Sequence, residues 1–181
     1  YELGQTLATI NKKKPTIFPA VPTIYAAINQ SSDLSKFDLS TVRFCISGGA
    51  PLPLEVKETF ERLTVCRLVE GYGLSETAPV VTCNAMADSN KPGSIGQVMP
   101  GTEIAIHDLE APHEAMAVGE RGEVWIKGPQ VMRGYLNRPE ETADSLRDGW
   151  FRTGDVGYMD DEGHFFLVDR LKDLILCSGY N

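Results

Sequence analysis

Basic charge is scarce in this chain, and histidine, tryptophan and long apolar runs are scarcer still. Seventeen lysines and arginines stand against 25 aspartates and glutamates, a formal net charge of −8. Such a balance offers no general attraction to a polyphosphate backbone and argues against a general nucleic-acid partner. A single nucleotide needs only a local site and is not excluded. No apolar stretch approaches the roughly 20 residues that span a bilayer, and no charged-then-apolar leader pattern opens the sequence, so no segment is expected to cross a membrane. The four cysteines, Cys45, Cys66, Cys83 and Cys177, form no C-x-x-C and have no histidine at metal-ligand spacing. They are expected to be reduced, mostly buried thiols of a cytoplasmic protein. His107, His113 and His164 are isolated and are expected at the surface or in packing roles. No Ser/His/Asp or Cys/His set stands out.

What is present is enough chain, 181 residues with 42% hydrophobic, for one core or two small ones. Residue 1 is Tyr, and LGQTLATI has the apolar spacing of a helix interior at Leu3, Leu7 and Ile10. At the other end a strand-like LILCSGYN stops just after a glycine turn, so the chain is expected to be a piece of a longer polypeptide. Residues 1–90 alternate apolar bursts with helical patterns. PTIFPAVPTIYAAI holds a strand and then a helix, VRFCISGG is a β-rich run, Pro53 opens a further helix, and VCRLVEGYG is another strand. The Pro53 helix carries Val56, Phe60 and Leu63 as its inner stripe, with Glu55, Lys57, Glu58, Glu61 and Arg62 outside. Strand, helix, strand and glycine loop is α/β organisation, in which ligand loops gather at the carboxyl ends of strands.

Residues 91–169 read differently. Short alternating strands around Ile104 and Ile106, Val124 and Ile126, and HFFLV are separated by turn formers such as Pro92-Gly93, Pro100-Gly101, Gly119, Gly122, Gly128-Pro129 and Gly163. The expected fold is therefore α/β followed by mainly β, the second part a small barrel or strongly twisted sheet. One helical stretch is expected at PEETADSL, with Asn137 capping and Pro139 in the first position.

The densest chemistry lies in EGYGLSETAPVVTCN, residues 70–84. Gly71 and Gly73 flank Tyr72 and permit close backbone approach, so the ring can be presented to a flat ligand. Ser75 can donate to a phosphate oxygen, and Glu76 supplies a hard oxygen of the kind that holds Mg²⁺. A ring for a base, a hydroxyl for a phosphate and a carboxylate for its metal suggest a nucleotide site. A glycine-rich turn with a solvated Glu and a packed Tyr fits the loop equally well.

Six ordered motifs decide between these two: SGGAPLP, EGYGLSETAP, GSIGQVMPG, GEVWIKGPQVMRGY, WFRTGD and DRLKDLILCSGYN. In order and spacing they resemble the acyl-adenylate-forming (AMP-binding) superfamily, which includes acyl-CoA synthetases, firefly luciferase and peptide-synthetase adenylation domains. The pattern is most similar to bacterial long-chain-fatty-acid–CoA ligases and covers essentially the whole chain. The resemblance implies part of an acyl-CoA synthetase-like N-terminal domain, with residues 170–181 as a hinge and the start of a C-terminal domain. It also implies ATP, Mg²⁺, coenzyme A and a fatty acid as the small-molecule partners. Peripheral membrane contact of a parent enzyme and its oligomeric state stay open.

Site residues follow from the same resemblance, position by position. Gly48, Gly49 and Ala50 match the segment lining adenine and the acyl carboxylate, and Gly71, Tyr72 and Gly73 match the loop against which adenine lies. Ser75, where the family usually has Thr, matches the α-phosphate contact, and Glu76 matches the Mg²⁺ ligand. The missing methyl leaves Ser75 freer about χ1 than Thr. Asp155 and Arg170 match the pair that binds the ribose hydroxyls, and Lys172 matches the hinge. Taken singly, Asp155 could be a turn aspartate bonding its own backbone, and Arg170 and Lys172 solvated charges on an edge strand. The family's Pro-Lys-Gly phosphate loop and its C-terminal catalytic lysine have no counterpart here, so the 181 residues alone are expected to be inactive. Another adenylate former, acting on short-chain or aromatic acids, on a luciferin or on a carrier protein, is the competing expectation. Further alternatives are a non-catalytic nucleotide-binding relic and a structural module without a ligand.

Overall fold

Short apolar bursts flanked by helices build a parallel sheet in the first part of the chain. The computed structural model describes residues 1–87, 89–111 and 114–171. These form two units: Tyr1–Gly71 with Asn84–Gly93, and Tyr72–Cys83 with the described residues from Ser94 onward.

In the first unit α1 (Leu3–Lys13) is followed by β1 (Ile17–Ala20), α2 (Pro22–Asn29), β2 (Phe44–Ser47), α3 (Leu54–Thr64) and β3 (Arg67–Gly73), whose last two residues count with the second unit. The strands pair in parallel, β1 on β2 and β2 on β3, so that Ala20, Ser47 and Glu70 stand level at their carboxyl ends. Lys12 and Lys13 lie in the last turn of α1, Glu55 in the first and Arg62 in the last turn of α3, each of a sign that suits the helix dipole. Leu7, Ile10, Tyr25, Ile28, Cys45, Phe60 and Leu68 make the core. The Tyr25 ring meets Phe60 edge-on at 4.9 Å, and its buried hydroxyl donates to the Phe18 carbonyl at 2.7 Å.

The inner stripe of α3 differs from the expected one. Leu63 is exposed, whereas Lys57, expected outside, is buried. Its ammonium donates to the Leu68 carbonyl at 2.7 Å and to Glu61 Oε1 at 2.6 Å, which satisfies the charge inside. Phe60 against Tyr25 sets the rotation of the helix, and residue 57 comes inward with it. Cys45 and Cys66 are buried free thiols with Sγ atoms 3.2 Å apart, and Cys83 is half-buried and also free. The thiol contact and burial together push Cys45 up. Cys177 and His113 lie outside the described residues.

The second unit holds β4 (Val80–Cys83) paired antiparallel with β5 (Gln97–Val98), then β6 (Glu103–His107), β7 (Gly122–Lys127), α4 (Pro139–Ser145), β8 (Leu146–Arg147), β9 (Trp150–Met159) and β10 (Phe165–Arg170). An antiparallel sheet in the order β10-β9-β7-β6, with β8 added on β9, curls as a half-barrel around Val81, Ile95, Ile106, Val124, Ile126 and Phe165. The mainly β expectation is met. Two local expectations are not. Gly122 opens β7 rather than a turn, and its glycine is needed there by close strand approach, since a Cβ would lie 2.1 Å from the His107 carbonyl oxygen on the neighbouring strand. Asn137 does not cap α4: its φ of 56° is left-handed, whereas a capping residue needs extended backbone, and Arg138 takes the cap position before Pro139. His107 stacks on Trp125 with ring centroids 4.2 Å apart, and His164 is buried.

Candidate active site

The carboxyl end of the parallel sheet carries the first group of site residues. Gly48, Gly49 and Ala50 leave β2 directly after Ser47, and the Gly48 N–H donates to the Ala20 carbonyl at 3.3 Å. Gly71 follows Glu70 at the same level on β3. That is the edge at which open α/β sheets bind ligands. Glu70 itself is buried, and it accepts the Leu52 N–H at 3.2 Å. Burial raises its carboxyl to about 7, while the Leu52 N–H pulls the other way. It lines a small cavity with Leu52, Lys57, Asn84, Asn90 and Gly93.

Tyr72, Gly73, Ser75, Glu76, Asp155 and Arg170 all belong to the second unit. Gly73 is needed by the chain's own backbone, since a Cβ there would fall 1.8 Å from the Pro79 carbonyl oxygen. The loop folds back on itself through Leu74 N–H to Pro79 O at 3.1 Å. Buried Thr77 closes it from within: its Oγ1 accepts the Leu74 N–H at 3.0 Å and donates to Pro79 O at 2.6 Å. This tight turn leaves Ser75 exposed and Glu76 half-buried.

Asp155 is the centre of the constellation. It is buried, and its carboxylate accepts the Tyr72 hydroxyl on Oδ2 at 2.5 Å and the Arg170 Nε on Oδ1. Arg170 reaches it because the two residues face each other across the β9–β10 ladder, after a bulge between Leu167 and Asp169. The carboxylate is thus engaged by side chains from two other segments, unlike that of a turn aspartate bonding its own backbone. Burial, and then the neighbouring Asp155 charge, hold the Tyr72 phenol well above its ordinary range, so it remains a donor. The Asp155 contact raises Arg170 further. An ionised carboxylate offers about four lone-pair sites, and among the described residues two are used, a spare capacity of the kind that suits hydroxyl donors.

Residues without a role in the sequence reading support this centre. Buried Glu123 accepts Arg152 Nη2 and Trp125 Nε1, each at 2.9 Å, on one oxygen, and the Gly154 N–H at 3.2 Å on the other. Thr153 Oγ1 donates to the Val124 carbonyl at 2.8 Å and accepts the Asp155 N–H at 3.0 Å. The backbone that presents Asp155 is therefore pinned from both sides. Glu76 has a partner as well: Tyr135 donates its hydroxyl to Glu76 Oε1 at 2.9 Å, and the Met132 N–H donates to the Glu76 carbonyl at 2.7 Å. GPQVMRGY and GEVWIKG lie inside the quoted motifs, but their contacts span too many residues for local spacing to disclose. Among the described residues no group of three or more His, Cys, Asp or Glu gathers as a metal cluster, and no helix is long and apolar enough to cross a membrane. Lys172 lies outside the described residues.

Residues 2–136 match the family described as AMP-binding enzyme, and the chain belongs to that family. It is 54% identical over 177 residues to the long-chain-fatty-acid–CoA ligase of Bacillus subtilis, covering 98% of this chain and 31% of that protein. It is 43% identical over 186 residues to 4-coumarate–CoA ligase 1 of Glycine max, covering 99% of this chain and 63% of that one. Among solved structures, the amide bond synthetase McbA of Marinactinospora thermotolerans superposes with a TM-score of 0.91 at 31% identity, over all of this chain and 37% of that one. The chain thus spans about a third of the bacterial ligase and under two thirds of the plant protein.

Proposed function

We propose that this chain is a segment of an acid–thiol ligase that activates a long-chain fatty acid with ATP and transfers it to coenzyme A. The observation that carries the proposal is the buried Asp155 carboxylate, held by Tyr72 and Arg170 with acceptor capacity to spare. Two adjacent hydroxyls, as on a ribose, are the ligand groups that such an acceptor suits. In this reading Asp155 and Arg170 bind the ribose, and Gly71, Tyr72 and Gly73 lie along adenine. Gly48, Gly49 and Ala50 border adenine and the acyl carboxylate, and Ser75 donates to the α-phosphate. Lys172 serves as the hinge. Glu76 fits Mg²⁺, which commonly takes one or two carboxylates and completes its shell with phosphate and water, so an isolated carboxylate without a cluster is sufficient. When bound, Mg²⁺ supplies charge neutralisation at the phosphates.

The chemistry has two displacements. A fatty-acid carboxylate oxygen attacks the α-phosphorus of ATP, and pyrophosphate leaves with the electrons of the broken P–O bond. The coenzyme A thiol, giving up its proton, then attacks the acyl carbon, and AMP leaves. No protein nucleophile is required. What these residues contribute is alignment of two anions and fixed donors that offset their repulsion. The free thiols at Cys45 and Cys66 suit a cytoplasmic setting.

Similarity to the plant ligase favours a second reading, an aromatic acid as substrate. Pyrophosphate release by the full-length enzyme, measured with acids of graded chain length and with 4-coumarate, separates the two. Release should be greatest with long-chain acids, and the 181 residues alone should give none. A preference for 4-coumarate would replace the first reading by the second, and release by the isolated segment would refute its dependence on the rest of the polypeptide.

A further inference from the structure

Tyr135 is exposed enough to be mistaken for an ordinary surface tyrosine, yet its hydroxyl and the loop that carries it both converge on Glu76. We propose that Tyr135 is a positioning residue for the metal-binding carboxylate: it fixes one oxygen of Glu76 so that the other is presented to the cation. The inference rests on the reading of Glu76 as the Mg²⁺ ligand.

Three contacts carry it. The Tyr135 hydroxyl donates to Glu76 Oε1 at 2.9 Å, 59 residues away in sequence. The Met132 N–H, three residues before Tyr135, donates to the Glu76 carbonyl at 2.7 Å, so side chain and backbone of the same glutamate are held by one loop. Tyr135 is itself tethered, because its N–H donates to Oγ1 of Thr142 on α4 at 2.9 Å and that hydroxyl donates to the carbonyl of the capping Arg138 at 2.7 Å.

Two effects oppose each other at the carboxylate. A phenol hydrogen bond withdraws charge from Oε1 and so weakens its attraction for a cation. It also removes the rotational freedom of a half-buried side chain that must otherwise be ordered when the cation binds. Among the described residues only one of about four lone-pair sites is consumed and Oε2 keeps its own, so ordering is expected to prevail over charge withdrawal. Loss of the hydroxyl should therefore weaken metal binding rather than strengthen it.

The test is calorimetry on the full-length enzyme with Mn²⁺–ATP and with ATP in EDTA, comparing wild type, Tyr135→Phe and Glu76→Gln. Tyr135→Phe is expected to weaken Mn²⁺–ATP by about three- to tenfold, the scale of one ordinary net hydrogen bond, and to leave metal-free ATP within about twofold. Glu76→Gln should weaken Mn²⁺–ATP at least as much. Unchanged Mn²⁺–ATP binding by Tyr135→Phe, with Glu76→Gln impaired, overturns the positioning role and leaves the Glu76 reading intact. Equal losses with and without metal in Tyr135→Phe would mean that the tyrosine merely supports the loop, which also overturns the proposal. An unimpaired Glu76→Gln overturns the reading of Glu76 and the role of Tyr135 together.

Discussion

Glu70 sits immediately before the glycine loop, and its burial has a thermodynamic consequence that can be measured. Its carboxyl rises from an ordinary 4.5 to about 7 in the folded chain, chiefly through burial. Between those values the folded state holds a proton that the unfolded state has released. Stability is then fully present below about 4.5 and falls as pH rises through 7. The step corresponds to roughly 3 kcal/mol at most. Glu70→Gln keeps the shape and removes the titration, so its thermal midpoint should exceed that of the wild type at pH 8, with the difference shrinking towards pH 5. Parallel pH profiles of the two proteins would refute this. At this scale sequence reading singled out Glu76 and Asp155 by residue type and motif, and each has a distant side-chain partner in the fold. It failed at Lys57, because no local signal marks a lysine whose ammonium finds a strand carbonyl and a glutamate inside.

Among the elements, the turn between β3 and β4 is governed by a single hydrogen atom on Gly73. A methyl group there would meet the Pro79 carbonyl oxygen at 1.8 Å, and a backbone oxygen cannot swing aside as a side chain could. Gly73→Ala should cost more than about 3 kcal/mol, at the upper end of single substitutions. Gly4→Ala in α1 provides the opposite sign: nothing lies within 4 Å of its Cβ, and alanine in a helix should stabilise by up to about 1 kcal/mol. Urea titration of both variants checks the pair, and a tolerated Gly73→Ala would show that the turn is not built as described. The alternation of Ile104 and Ile106 and of Val124 and Ile126 was enough to forecast β6 and β7. The cap of α4 was placed one residue early, at Asn137, because Asn favours both capping and left-handed backbone, and here the chain adopts the latter.

For the whole molecule, what sequence alone withholds is contact across distance. Tyr72 meets Asp155 across 83 residues and Glu76 meets Tyr135 across 59, and no periodicity or spacing encodes such pairs. The ordered motifs led to the family because they are local, each a short stretch with its own turn or strand. The central claim, that Asp155 is the ribose acceptor of a nucleotide site, is tested most directly by a double-mutant cycle between protein and ligand in the full-length enzyme. The dissociation constants of ATP and of 2′,3′-dideoxy-ATP are measured for the wild type and for Asp155→Asn. The wild type should bind the dideoxy analogue about ten- to a hundredfold more weakly, and Asp155→Asn should barely distinguish the two ligands. Equal affinity of the wild type for both nucleotides would contradict the assignment.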